Sequence, residues 1–196
     1  REFNAGGRSP YLLTCDHYGR LIPRILGDLG LPESELKRHI GWDIGIAGVA
    51  EALSTHLDAH LIVQRYSRLV IDCNRPPHVA SSIPLISEAT TIPGNEGISR
   101  EAAATRRTQI FDPYHRRIDE IIDQRGVAGR PTVVIALHSF TPVYAGIARP
   151  WHIGTLYQHD RMLPPMLLQL LRAEPDLVVG DNEPYAVSDQ TDYTIP

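Results

Sequence analysis

The sequence predicts an α/β protein, most simply a three-layer α/β/α sandwich built on a mostly parallel mixed sheet. Short apolar runs rich in β-branched residues recur along the chain, and they lack the strict alternation of a half-exposed sheet. Segments with helical spacing lie between them, the order expected of strands covered on both faces by helices.

YLLTC (Tyr11 to Cys15), LVIDC (Leu69 to Cys73), TVVIAL (Thr132 to Leu137) and DLVV (Asp176 to Val179) are the predicted buried strands. HLIV, His60 to Val63, reads as a further strand that pairs nearby. Ile40, Ile44, Ala47, Ala50, Leu53 and Leu57 step by three and four, with Glu51, Ser54 and Asp58 opposite, which predicts an amphipathic helix. Another helix is expected over about residues 100–110. The next begins with Asp112 as N-cap and Pro113 at its first position, and stops before Gly126. A last helix covers roughly Pro165 to Arg172. Pro76 to Gly97, rich in Ser, Pro, Thr and Gly, reads as a long loop of the kind that often carries function.

At 196 residues the chain suffices for one domain with a real core. Hydrophobic residues at 42% and charged residues at 21% are ordinary for a globular protein and argue against disordered or fibrous classes. A formal charge of -4, with no local run of Lys or Arg, argues against a nucleic-acid partner. No run of about 18 apolar residues occurs, so a membrane span is not expected. Cys15 and Cys73 are too few for a disulfide framework, and REFNAGGRSP lacks the apolar segment of a signal peptide. The expected location is the cytoplasm. Oligomeric state has no signature here.

Ligands in open α/β sheets bind beyond the carboxyl ends of the strands. YLLTC is followed by Asp16-His17, LVIDC by Asn74-Arg75, TVVIAL by His138-Ser139, and DLVV by a polar segment containing Glu183. His17 and His138 are the natural metal ligands, since imidazoles from separate strands can converge and leave a coordination position open. Either alone reads first as a hydrogen-bonded buried or loop histidine; the pair, each at the end of a strand, reads as ligands. Asp43 is the candidate third ligand, on the inward face of its predicted helix with Ile40 and Ala47. A carboxylate stabilised by the free N–H groups of a helix start is the alternative. His39 is a weaker candidate, and Asp16 can orient His17 from outside the ligand set. Glu183 is either a general base or a solvated loop residue. His115 points to the core side of its helix and either packs there or lines the site. His56, His60, His78 and His159 read as surface residues.

The segments CDHYGRLIP, RHIGWDIG, YSRLVIDCNRPP, DPYHRRI, ALHSFTPVY and VGDNEPY occur in this order and resemble the N-formylglutamate amidohydrolase (N-formylglutamate deformylase) family. That family is similar, distantly, to the zinc carboxypeptidases and the aspartoacylase-type deacylases, so the resemblance implies a carboxypeptidase-like fold. It implies a zinc ion, or another divalent transition metal, held by His17 and His138. Asn74 and Arg75 would bind a substrate carboxylate, for which a planar fork of donors suits bidentate pairing, with Asp72 bracing the Arg. Arg68 would serve a second carboxylate or the oxyanion.

The sequence departs from the pattern in two places. The carboxypeptidases place a Glu three residues after the first His, where Arg20 stands here, and this directs attention to Asp43. Family members also continue into a Glu-Ile-Arg-like motif that this sequence lacks. The expectation is therefore a single amidohydrolase domain over residues 1–196 without a C-terminal segment, its general base being Glu183 or a residue of that segment. The implied reaction is hydrolysis of a small N-acyl amino acid, N-formyl-L-glutamate first among them. Another N-acyl amino acid or a small dipeptide is the alternative substrate, and a non-catalytic domain that binds acidic amino acids is the alternative function.

Overall fold

The apolar runs meet in a mixed sheet. Along the chain come β1 (Glu2–Phe3), β2 (Tyr11–Cys15), β3 (His60–Val63), a small hairpin β4–β5 (Ile86–Ser87 and Thr90–Thr91) and β6 (Val133–Ala136). All but the hairpin share one sheet in the order β1-β3-β2-β6. Strand β2 runs parallel to both neighbours, with Leu13 opposite Leu61 on one side and Ile135 on the other, while β1 lies antiparallel to β3. The structure, a computed structural model, describes residues 1–188 and 192–195. It divides into two units, residues 1–139 and 140–196.

In the first unit the helices are α1 (Glu33–Leu36), α2 (Ile46–His56), α3 (Arg100–Arg106) and α4 (Asp112–Val127). Successive residues of a strand point to opposite faces. Leu12 and Ile62 accordingly join a core with Ile71, Phe111, Ile118 and Ile121, whereas Leu13, Cys15, Leu61 and Val63 join another with Ile46 and Ala50. Helix α4 serves the first core and α2 the second. Both faces of β2 are buried, which is why its sequence does not alternate in polarity.

Several expectations need correction. LVIDC is buried but is not a strand. Its backbone groups are satisfied by other means, as buried peptide groups must be. Asn95 Nδ2 donates to the Leu69 carbonyl at 2.9 Å, Arg106 Nη1 to that of Val70 at 3.0 Å, and the Asp72 N–H to that of Ser82 at 2.7 Å. A short apolar run specifies burial without specifying a ladder partner. The helix predicted from Ile40 starts only at Ile46, because Gly45 at φ 84° breaks the helical path, and Asp43 sits in the preceding turn.

Asp112 is no N-cap. Helix α3 continues through a π-helical turn, Arg107–Phe111, into α4, and Asp112 has helical dihedrals with its N–H on the Arg107 carbonyl. Pro113 has no N–H to contribute, and the widened turn accommodates it without ending the helix. Gly126 falls inside the helix. His60, expected at the surface, is buried and lies 2.8 Å from Glu2. The loop over residues 76–97 contains the β4–β5 hairpin, pinned by Arg38, which reaches Glu88 at 2.6 Å and Thr90 at 2.8 Å.

The second unit contains a hairpin, β7–β8 (Val143–Tyr144 and Ile147–Ala148), and a parallel pair, β9 (Ile153–Thr155) and β10 (Val179–Asp181), connected through α5 (Leu163–Arg172). The run DLVV thus enters its strand only at Val179. β9 has no apolar run to announce it. A Cβ on Gly154 or Gly180 would collide with the Glu183 carbonyl oxygen, so both positions require glycine. Among the described residues no helix is long and apolar enough to cross a membrane.

Asn95 is fully buried, with Nδ2 on the Leu69 and Pro84 carbonyls and Oδ1 accepting from Arg106. Asn95→Ala strands these groups and is expected to cost about 2–4 kcal/mol in urea unfolding. A loss below about 1 kcal/mol would mean that apolar contacts alone hold the LVIDC segment.

Candidate metal centre

Strand register assembles the site. Thr14 lies opposite Ala136, and the Leu137 N–H donates to the Thr14 carbonyl at 2.8 Å, so continuing the pairing sets Asp16 level with His138. His17 follows directly. The Asp43 N–H donates to the His17 carbonyl at 2.9 Å, which ties the turn before α2 to the end of β2.

Three ligating side chains converge. His17 Nδ1 and His138 Nδ1 are 3.2 Å apart, His138 Nδ1 is 3.2 Å from Asp43 Oδ2, and His17 Nδ1 is 3.5 Å from Asp43 Oδ1. Tetrahedral zinc with bonds of about 2.05 Å has ligand–ligand edges of about 3.3 Å. The spacing and the His, His, carboxylate donor set both fit such an ion, with a fourth position open. His17 and Asp43 are almost wholly buried, and the His138 side chain is 29% exposed.

Each imidazole turns its other nitrogen to a carboxylate. His17 Nε2 lies 2.7 Å from Asp72 Oδ1, which also accepts the Asn74 N–H at 2.9 Å. Arg68 donates Nε and Nη2 to Asp72 Oδ2 at 3.1 and 2.7 Å, and its Nη1 is 3.6 Å from Asp43 Oδ1. His138 Nε2 lies 3.5 Å from Asp16 Oδ2, while Asp16 Oδ1 accepts the Tyr114 hydroxyl at 2.7 Å. The Ser139 N–H donates to Asp43 Oδ2 at 2.9 Å.

These contacts set the protonation states. Burial opposes ionisation of Asp43, yet His17 and His138 outweigh it and hold the carboxyl far below its ordinary range. Burial likewise opposes Asp72, and Arg68, His17 and the charge of Arg75 overcome it. Burial disfavours the His138 imidazolium, but Asp16 and Asp43 push the ring up to about 10. Burial, followed by Asp16, raises the Tyr114 phenol well above its usual value.

Of the residues singled out from sequence, His17, Asp43 and His138 come together, with Arg68 and Asn74 joined to them through Asp72. Asp16 was assigned to His17, but Asp72 takes that nitrogen and Asp16 meets His138. The Arg75 N–H donates to the Asp72 carbonyl at 3.3 Å, and the Asp72 carboxylate accepts from Arg68. His115 lies 2.8 Å from the Cys73 carbonyl and against the Phe111 ring, and burial lowers its pKa. His39 is 3.1 Å from Glu88, outside the cluster. Glu183 belongs to the second unit, where it is exposed beside β10. Tyr114 went unnoticed in the sequence, because a phenol inside an amphipathic helix reads as core.

The fold and these strand-end residues define an α/β protein with a candidate catalytic metal centre. Residues 9–196 match the family described as N-formylglutamate amidohydrolase, and the chain belongs to that family. It is similar to an N-formylglutamate deformylase of Pseudomonas aeruginosa, 34% identical over 128 residues, which cover 58% of this chain and 46% of the relative. The match therefore spans about half the length of that protein. A crystal structure of a gene product from Agrobacterium tumefaciens superposes with a TM-score of 0.91 at 40% identity, covering 95% of this chain and 73% of that one.

Proposed function

We propose that the protein is a zinc-dependent amidohydrolase that cleaves N-formyl-L-glutamate to formate and L-glutamate. The observation that carries the reading is the convergence of His17 Nδ1, His138 Nδ1 and Asp43 within zinc-ligand distances, in a chain of this family. When bound there, zinc supplies Lewis acidity, polarising a carbonyl oxygen and bringing the ionisation of water from about 16 to about 7.

The protein's own groups do the rest. Asp72 and Asp16 orient the two imidazoles. Arg75 and Asn74 bind a glutamate carboxylate, a guanidinium and an amide offering planar donors that fix the scissile amide in register. Arg68 is proposed for the second carboxylate or for the oxyanion, its position supported by Asp72. His115 lines the substrate side. A carboxylate takes the proton of the attacking water and passes it to the departing amine as the C–N bond breaks. Glu183 is carried in that role on its place in the VGDNEPY segment. The helices α2 and α4, on opposite faces of the sheet, support a three-layer, carboxypeptidase-like arrangement. Two free, buried cysteines support a reducing, cytoplasmic setting.

Elemental analysis of the purified protein is expected to find about one equivalent of zinc, lost in His17→Ala and His138→Ala. A parent that stays metal-free after zinc is added would sink the hydrolase reading. Formate release from N-formyl-L-glutamate should exceed that from other N-acyl amino acids. Binding of glutamate derivatives without formate release would point instead to a carboxylate-binding domain. Arg75→Lys replaces a fork with a point charge and should raise KM at least about tenfold, with a smaller change in kcat. Unchanged kinetics would remove Arg75 from the carboxylate site.

A further inference from the structure

We infer that Tyr114 and Asp16 form a two-residue brace that sets the orientation of His138, so that this part of α4 is a positioning element of the candidate metal centre. The inference rests on the metal reading above and extends it to residues outside the ligand set.

Geometry carries it. The Asp16 side chain is buried, and a buried carboxylate has to be compensated by partners. Its two oxygens face different groups. Oδ1 takes the Tyr114 hydroxyl at 2.7 Å, and Oδ2 faces His138 Nε2 at 3.5 Å. The His138 ring then presents Nδ1 to His17 and Asp43, both at 3.2 Å. A ring flip about the Cβ–Cγ bond would exchange the two edges and carry Nδ1 away from the ligand set. Asp16 favours the observed orientation, because its negatively charged oxygen lies on the Nε2 side of the ring, at 3.5 Å.

Tyr114 acts one step further out. Strand register brings Asp16 level with His138, and what its carboxylate oxygens meet sets the direction in which each one faces. The Tyr114 hydroxyl arrives from a different element, 98 residues away in sequence, and fixes which oxygen faces the histidine. Tyr114 is itself buried and held in the core with Phe111 and Ile118, so the donor does not wander. A tyrosine present only to fill the core would place no demand on its hydroxyl.

The test uses full-length protein with zinc, and separately cobalt, as probes. Asp16→Asn and Tyr114→Phe are titrated with zinc against a chromogenic chelator, and the absorption of the cobalt-loaded proteins is recorded at saturation. Melting of the metal-free proteins serves as the folding control. Asp16→Asn is expected to weaken zinc binding about 10- to 100-fold, as for other outer partners of a ligating histidine. Tyr114→Phe should weaken it about fivefold, the equivalent of one hydrogen bond. Both should shift the cobalt bands, which a purely core-filling role would leave in place.

If Asp16→Asn fails to fold, Tyr114→Phe decides alone, since it removes one oxygen and keeps the ring. Parental zinc affinity and an unshifted cobalt spectrum in Tyr114→Phe would overturn the inference while leaving the metal reading intact. A parent that binds no zinc would overturn both.

Discussion

The candidate centre depends on the parallel pairing of β2 with β6. Because the strands run the same way, both carboxyl ends open on one edge of the sheet, and the residues that follow them meet. An antiparallel pairing would send His17 and His138 to opposite edges. Register matters as much as direction. Slipping β6 by one residue would turn every side chain beyond it to the other face. Burial prevents the slip, since on β6 Val134 packs against one core and Ile135 against the other, and neither can be exchanged for the other. The hydrophobic effect thus places the imidazoles.

Electrostatics explains why so many charges tolerate burial there. Asp16, Asp43 and Asp72 form an acidic group at the edge of the core, and an isolated carboxylate in such a place would be strongly disfavoured. Arg68 offsets part of it directly, and the charge of Arg75 adds to this at Asp72. Protonation of His138 offsets a further part, consistent with its raised pKa. A divalent cation held there would do the same work, neutralising Asp43 without needing a proton on either ring, so metal and proton would compete for one set of atoms.

Much of this was legible in the sequence, and the failures have physical causes. YLLTC and HLIV were read with their observed bounds, because each apolar run coincides with a strand buried on both faces. His17 and His138 stood out because each follows such a run. Asp43 was reached by a flawed route: its helical spacing with Ile40 and Ala47 is real in the sequence, but Gly45 interrupts the helix, and the residue arrives through a backbone hydrogen bond to His17. Tyr114 and the pairing of Asp16 with His138 were invisible, since both depend on which elements pack together. The π-helical turn at Arg107–Phe111 was equally hidden, because Pro113 was read as the opening of a new helix when it lies inside a continuous one.

The segment around Asp72 shows why an irregular backbone suits this site better than the strand that its composition advertises. In a strand, Asp72 and Asn74 would share one face, but their backbone N–H groups would be engaged in a ladder. Here the chain turns, and the Asp72 carboxylate reaches forward to the N–H of Asn74 in an Asx-type turn. The same oxygen receives His17 Nε2. One atom therefore serves both His17, a candidate ligand, and the turn that presents Asn74 and Arg75. Asn95 and Arg106 hold the strandless backbone behind it at Leu69 and Val70, and His115 holds it at Cys73. Side-chain donors replace the ladder on this stretch, so the turn is rigid without being regular. The proposed carboxylate-binding turn and the partner of a candidate ligand histidine thus share one geometry.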